Sequence, residues 1–300
     1  PDTIIICQPV MPYACLGYHQ SLKNIFNKDV CEKNNIPIYR RKIGGGGTYL
    51  DKNQLFYQCI FKQESLPQQF TDVYKHLLKA PVDVLKDLGL NASICHTNEL
   101  EVDGKRIAGI GGGNIGNASV MVGNILFNFD FDTMASIWNV PDEGFRRLAL
   151  KGMRDHIITM DDLKIDVDMG EIAEKLIHNF GQILDRYVLP DSMTQDEIDS
   201  ASAFKYVMQS EDFLNLHHER KMKPKPLKIA AETYIHSEKV LLNGMDVNAG
   251  YYVHNDVIVE ASIATIDGIL FEDISASFSG KPYNGREYVL AAHNCELVHL

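Results

Sequence analysis

Short apolar runs rich in β-branched residues recur through the first 130 positions, and stretches with helical spacing separate and follow them. Residues 3–7, 36–38, 54–61, 92–97 and 118–129 read as strands, and 54–61 alternates with a two-residue period. Residues 99–109 read as a hairpin with Asp103 and Gly104 in a tight turn. A short helix fits 23–33. Phe70, Val73, Tyr74, Leu77, Leu78, Val84, Leu85 and Leu88 recur at helical spacing. Pro81 should kink or divide that helix, and Gly89 should end it.

From residue 131 the texture becomes helical. Asp130 or Asp132 can cap a short helix, and Pro141, Asp142 and Glu143 open another. Asp168 caps a helix whose apolar face is Ile172, Leu176, Ile177, Phe180, Ile183 and Leu184. Thr194 and Glu197 have capping-box spacing. The 217–226 stretch, with two prolines and clustered charge, reads as an interdomain linker. Its two histidines, His217 and His218, lack a third residue at metal-ligand spacing, so they read as linker residues. Beyond it, Asn243-Gly244 and Asp267-Gly268 are hairpin signals. Residues 229–240, 251–266 and 269–278 would then form a small antiparallel sheet, followed by a helix over 282–293. The expected fold class is α+β, a mixed or antiparallel sheet flanked by helices plus a small α+β domain. The expected domains are 1–188, a connection over 189–226, and 227–300.

Composition narrows the partners. The chain has 300 residues, 23% of them charged, and a formal net charge of −11. That acidic balance argues against broad nucleic-acid binding, so local basic clusters must serve something small and anionic. No apolar run is long enough to span a bilayer, and the first residues lack a basic, signal-like region. Cys7, Cys15, Cys31, Cys59, Cys95 and Cys295 show no Cys-x-x-Cys spacing, which fits reduced thiols in a cytoplasmic protein. A monomer is expected.

The chemistry concentrates at Arg40, Arg41, Lys42, Ile43, Gly44, Gly45, Gly46, Gly47, Thr48 and Tyr49. Four residues without Cβ let main-chain amides approach a ligand, and successive amides form an anion-binding concavity. The adjacent cations suit phosphate or carboxylate. A Walker loop is excluded, because no Gly-Lys-Ser/Thr ending opens a helix. A dinucleotide fingerprint is excluded, because a strand follows. A second glycine block, Gly111 to Gly113, reads as another close-approach turn. Both blocks, with the basic pairs Arg40/Arg41 and Lys105/Arg106, are expected on neighbouring strands of one sheet. Taken alone, Lys105 and Arg106 read as solvated hairpin charges.

The spacing Arg40-Arg41-x-x-Gly44-Gly45-Gly46, followed by Asn98-Glu99 and Gly104-Lys105-Arg106-Ile107-Ala108-Gly109, resembles the lipoate–protein ligases of the biotin/lipoate ligase superfamily. The likeness runs from about residue 16 to 159. The 16–20 and 49–51 variants resemble a subgroup with a fused accessory domain, some of whose members serve sulfur oxidation. The resemblance implies ATP-dependent, Mg²⁺-dependent activation of lipoate to lipoyl-AMP, then transfer to a lysine of a lipoyl carrier protein. It implies Arg106 or Lys105 as the catalytic cation, with Arg106 preferred. It implies substrate and ATP contacts from Gly17, Gln20, Arg40, Arg41, Gly44, Gly45, Gly46, Gly47, Thr48, Tyr49, Asn98, Glu99, Ala108, Gly109, Gly123 and Asn124, and no metal held by the protein. Three positions depart from the family pattern. Arg106 fills the slot of the family's lysine, Leu50 replaces a histidine, and Val122-Gly123-Asn124 replaces a His-Gly-Thr turn. The alternatives are an octanoyl or lipoyl transferase of the same fold, and a lipoate-binding protein with impaired catalysis. A transferase needs a cysteine nucleophile, and none lies between Cys95 and Cys295. A biotin ligase is disfavoured because its Gly-Arg-Gly-Arg motif is absent.

Overall fold

The computed structural model describes residues 2–67, 69–217, 226–242 and 245–283. In chain order the strands are β1 (Thr3–Cys7), β2 (Tyr13–Leu16), β3 (Ile38–Arg40), β4 (Thr48–Leu50), β5 (Gln54–Lys62), β6 (Ala92–Cys95), β7 (Glu99–Val102), β8 (Lys105–Ala108), β9 (Ile110–Ile115), β10 (Ala118–Leu126), β11 (Leu227–Ala230), β12 (Thr233–Leu242), β13 (Met245–His254) and β14 (Val257–Thr265). The α-helices are α1 (Leu22–Ile25), α2 (Lys28–Lys33), α3 (Phe70–Leu77), α4 (Lys79–Asp87), α5 (Phe131–Ile137), α6 (Glu143–His156), α7 (Met169–Leu184), α8 (Gln195–Met208), α9 (Glu211–Leu214) and α10 (Glu272–Ser277). The mixed and antiparallel sheets with flanking helices are the expected fold class. The chain forms two compact units, residues 1–130 with 157–220, and 131–156 with 221–300. Contacts and sequence texture thus divide the chain at different places.

The first unit contains three small sheets, in the orders β1-β5-β10-β9, β3-β2-β4 and β6-β7-β8. The first is wholly antiparallel, whereas β2 runs parallel to β3 and antiparallel to β4. The expectation that the glycine blocks and basic pairs share one sheet is therefore corrected, because β3, β8 and β9 lie in three different sheets. Alternation on β5 sorts the two faces of the main sheet. Leu55, Tyr57, Cys59 and Phe61 point into a core completed by Val73, Leu77, Leu85, Leu176 and Phe180 of α3, α4 and α7. The intervening Phe56, Gln58 and Ile60 are only half-buried on the other face.

The expected long helix is two helices, and proline explains the division. Pro81 cannot donate to the carbonyl of Leu77, and its ring crowds that carbonyl. The first helix accordingly ends at Leu77, and Pro81 falls in the first turn of α4, where a missing N–H costs nothing. Gly89 takes φ +81° beyond it. Asp168 and Thr194 cap α7 and α8 as their spacing predicts, Thr194 in a full capping box.

A second correction concerns Gly111 to Gly113, which form strand and not a turn. Each pairs with β10, Gly112 opposite Met121, and the chain reverses at Gly116 with φ +60°. Gly112 is required by packing, since a Cβ there would lie 2.6 Å from the Phe70 ring and 2.8 Å from the Tyr74 hydroxyl.

In the second unit β11 to β14 form one antiparallel sheet. Helix α6 buries Phe145, Leu148, Ala149 and Met153, and its Gly152 sits 3.4 Å from Ile235 by its Cβ direction. A third correction applies to 269–278, expected as a strand. Phe271, Ile274 and Phe278 recur at helical spacing and pack into the core of Val247, Tyr251 and Ile263, so α10 forms instead. The Asn243-Gly244 signal, the 218–225 part of the linker including His218, Cys295 and most of the helix expected over 282–293 lie outside the described residues. Pro282 itself forms a bridge with Val257. No helix among the described residues is long and apolar enough to cross a membrane.

Gly123 lies opposite Tyr57, and a Cβ there would meet the Tyr57 hydroxyl at 2.2 Å and its ring at 2.3 Å. The ring fills the space that glycine leaves. Among the described residues its buried hydroxyl has no hydrogen-bond partner, and burial pushes its pKa far up. Gly123→Ala should therefore lower unfolding stability by about 1–3 kcal/mol through overpacking. Tyr57→Phe should cost less than about 1 kcal/mol or stabilise, because it deletes an unsatisfied polar group. Chemical denaturation of both variants checks this, and the opposite ranking would refute the packing account.

Candidate functional site

The glycine loop is organised by two arginines with different tasks. Arg40 is fully buried. Its guanidinium donates to the carbonyls of Gly17, Tyr18 and Gln20 and to those of Phe213 and Leu214 in α9. Desolvation pushes its pKa down, yet an arginine keeps its charge at neutral pH. Arg40, expected to contact substrate or ATP, places its guanidinium on main-chain carbonyls. It positions the turn that carries Gly17 and Gln20. Gln20 Oε1 in turn accepts from the Gly17 amide at 3.0 Å. A Cβ on Gly17 would sit 2.0 Å from the Gly45 carbonyl oxygen, so this turn and the glycine loop touch directly.

Arg41 lies across the loop. It donates to the carbonyls of Gly44 at 2.9 Å, Gly46 at 2.8 Å and Cys15 at 3.2 Å. Lys42 turns away, with its ammonium 4.0 Å from the centre of the Phe204 ring in α8. With the carbonyls gathered by Arg41, the amides of Gly44, Gly45, Gly46 and Gly47 donate to no acceptor among the described residues. The glycines are not equivalent. Gly45 has φ +103°, and a Cβ on Gly47 would meet Ile25 at 2.4 Å and Phe26 at 2.9 Å. At Gly44 and Gly46 that space is open. The loop also reaches the second glycine block. Ile43 and the Gly44 carbonyl lie 3.6 Å from the Cβ direction of Gly111.

A polar corner stands at the start of β9. Gly109 donates its amide to Asn124 Oδ1 at 2.6 Å and accepts from the Asn124 amide at 3.2 Å. Asn124 Nδ2 donates to Gln54 Oε1 at 2.9 Å, and Gln54 Nε2 to the Tyr49 carbonyl at 3.3 Å. These buried bonds hold β4, β5, β10 and the end of β8 together. Thr48 continues β4 opposite Cys15. Burial raises the Tyr49 phenol to about 12. Asn98 donates to the Ile110 carbonyl at 3.3 Å.

Arg106 bends over this corner. Its Nε donates to the Ala108 carbonyl at 3.0 Å, and Nη2 lies 3.2 Å from the Cβ direction of Gly109. A bulge makes this possible, since Leu100 pairs with Ala108 but Glu101 with Arg106. Desolvation lowers the Arg106 pKa, and the nearly buried Glu99 carboxylate opposes that shift. Lys105 pairs with Val102, and its side chain makes no hydrogen bond or ion pair among the described residues. Of the expected site residues, Ala108, Gly109, Asn124, Tyr49, Glu99 and Arg106 thus gather at one corner. Gly123 serves packing behind it, and Arg40 serves positioning.

Sequence reading overlooked Gln54 and Gln58. Each is a polar residue in an otherwise apolar, alternating strand, and that is the signal that could have found them. Burial raises the thiol pKa of Cys7 and Cys95, that of Cys31 to about 11 and that of Cys59 to about 12. The His217 ring stacks on His19 at 6.0 Å and meets Tyr18 edge-on at 5.7 Å.

Residues 1–181 match the lipoyl protein ligase A/B catalytic domain, and the chain belongs to that family. Lipoate-protein ligase A subunit 1 of Thermoplasma acidophilum is 27% identical over 61% of this chain and 72% of its own length. Octanoyltransferase LipM of Halalkalibacterium halodurans is 23% identical over 62% of this chain and 76% of its own. The structure of a bipartite lipoate protein ligase, from a study of it and its E2 lipoyl domain in Thermoplasma acidophilum, superposes with a TM-score of 0.65 at 26% identity. It covers 73% of this chain and 85% of that one.

Replacing Arg40 with methionine should cost at least about 3 kcal/mol of unfolding stability, because several buried carbonyls lose their donor. Arg41→Met should cost clearly less, since water can reach the Gly46 carbonyl. Equal losses in chemical denaturation would contradict the division of labour between them.

Proposed function

We propose that this chain is an ATP-dependent acyl ligase that activates lipoate to lipoyl-AMP and passes the lipoyl group to a lysine of a lipoyl carrier protein. The observation carrying this reading is the row of four glycine amides that donate to no acceptor among the described residues, beside open space at Gly44 and Gly46. Such a row suits the phosphates of a nucleotide. Mg²⁺, a hard cation that takes oxygen ligands, would enter with the phosphates of that substrate. The apolar half-buried face of β5 and β10 suits an acyl chain, each buried methylene contributing about 0.8 kcal/mol.

The first step joins a carboxylate oxygen of the acid to the α-phosphorus, and the bond to pyrophosphate breaks. Arg106 supplies a fixed positive charge where negative charge gathers on the acyl and phosphate oxygens. Glu99 and the Ala108 carbonyl hold that cation in place. In the second step the carrier's amine attacks the acyl carbon, AMP leaves, and the amine loses a proton. The second compact unit is read as an accessory domain fused to the ligase.

The LipM likeness favours a second reading, acyl transfer through a cysteine. The raised thiols of Cys7, Cys31, Cys59 and Cys95 weigh against it, because transfer needs a thiolate. Lipoate-dependent ATP–pyrophosphate exchange separates the two. The ligase should exchange in the absence of carrier, whereas ATP-independent acyl transfer would support the transferase. Lipoate binding with neither activity would indicate an impaired relative. In the ligase, Arg106→Ala should lower exchange by about 10²–10³-fold. If Lys105→Ala is the inactive variant and Arg106→Ala is not, the assignment of the cation fails.

A further inference from the structure

The half-buried face of the main sheet leads away from the Arg106, Gly109 and Asn124 corner in rows fixed by the register. Asn124 lies opposite Phe56, then Val122 opposite Gln58 and Gly111, then Val120 opposite Ile60 and Gly113. On the far side Phe56 faces Cys7 and Gln58 faces Ile5. The middle row therefore places one carboxamide among apolar neighbours. Gln58 is half-buried, and its Nε2 donates to the Cys7 sulfur at 3.5 Å. Among the described residues this is the only hydrogen bond of its side chain. An amide donor on an apolar face is costly to cover unless the covering group accepts from it.

Two residues along a strand advance about 7 Å, so the Gln58 row stands about 7 Å from the row of the corner. An acid with its carboxylate at the corner brings the far half of an eight-carbon chain to Gln58. There a saturated chain offers only methylenes. A cyclic disulfide offers divalent sulfur, the kind of soft acceptor the Gln58 amide already meets at Cys7. Resting on the acyl-ligase reading above, we infer that Gln58 is a specificity-determining residue, its carboxamide favouring acids that end in a cyclic disulfide over straight-chain acids of equal length.

The test is calorimetric binding of lipoate and of octanoate to the full chain, with parallel exchange assays. Gln58→Met keeps the volume and removes the donor. It should lower the lipoate-to-octanoate affinity ratio by about three- to tenfold, the range of one modest hydrogen bond. Cys7→Ala, which removes the competing sulfur, should keep or raise the ratio. An unchanged ratio in Gln58→Met, or an equal fall in both variants, overturns the inference while leaving the ligase reading intact. Wild-type protein that binds neither acid and shows no exchange overturns both.

Discussion

One buried cation organises the catalytic unit. The Arg40 guanidinium sits where water cannot reach it, and five main-chain oxygens replace its hydration. Such a charge is tolerable only when every donor is answered. The requirement acts in both directions. The turn at 17–20 and the end of α9 must keep their carbonyls aimed inward, and they thereby stay near β3 although 173 residues separate Arg40 from Phe213. Gly17 then touches Gly45, and the glycine loop receives its position from that contact. Arg41 completes the arrangement by donating to the carbonyls of Gly44 and Gly46.

Much of this was legible in the sequence, though for reasons that differ by residue. The strands of the first unit declared themselves through two-residue alternation, and Asp168, Thr194 and Gly89 marked helix ends by their local chemistry. The tight clustering of cations and glycines identified a site. Its division of labour was hidden, because nothing local distinguishes Arg40 from Arg41. Arg40, the last residue of β3, points into the protein and Arg41, just beyond the strand, lies across the loop, and only the distant carbonyls of Phe213 and Leu214 decide which arginine is consumed. The Gly111 to Gly113 block misled for a similar reason. Glycine signals freedom, but here Phe70 and Tyr74 demand its small size within a regular strand. The 269–278 stretch was ambiguous until a core existed for Phe271, Ile274 and Phe278 to face.

The polar corner and the acyl-compatible face are coupled by geometry. Asn124 bonds Gly109 on one side and Gln54 on the other, so the base of the corner is fixed by side chains that cannot rotate without losing partners. The bulge before Ala108 lets Arg106 reach over the same glycine. The bare Gly109 gives Arg106 the room to fold back. The same bulge leaves Ile107 and Ala108 both buried, so a single extra residue seals the core and aims the cation.

The tetraglycine run divides by alternate positions. Gly45 and Gly47 are demanded by the chain itself, one through its dihedral angle and the other through Ile25 and Phe26, whereas Gly44 and Gly46 look onto emptiness. A saturation scan of these four codons would therefore yield two superimposed records. Odd positions would report whether the polypeptide matures at all, and even positions would trace the outline of whatever molecule the loop was shaped to receive.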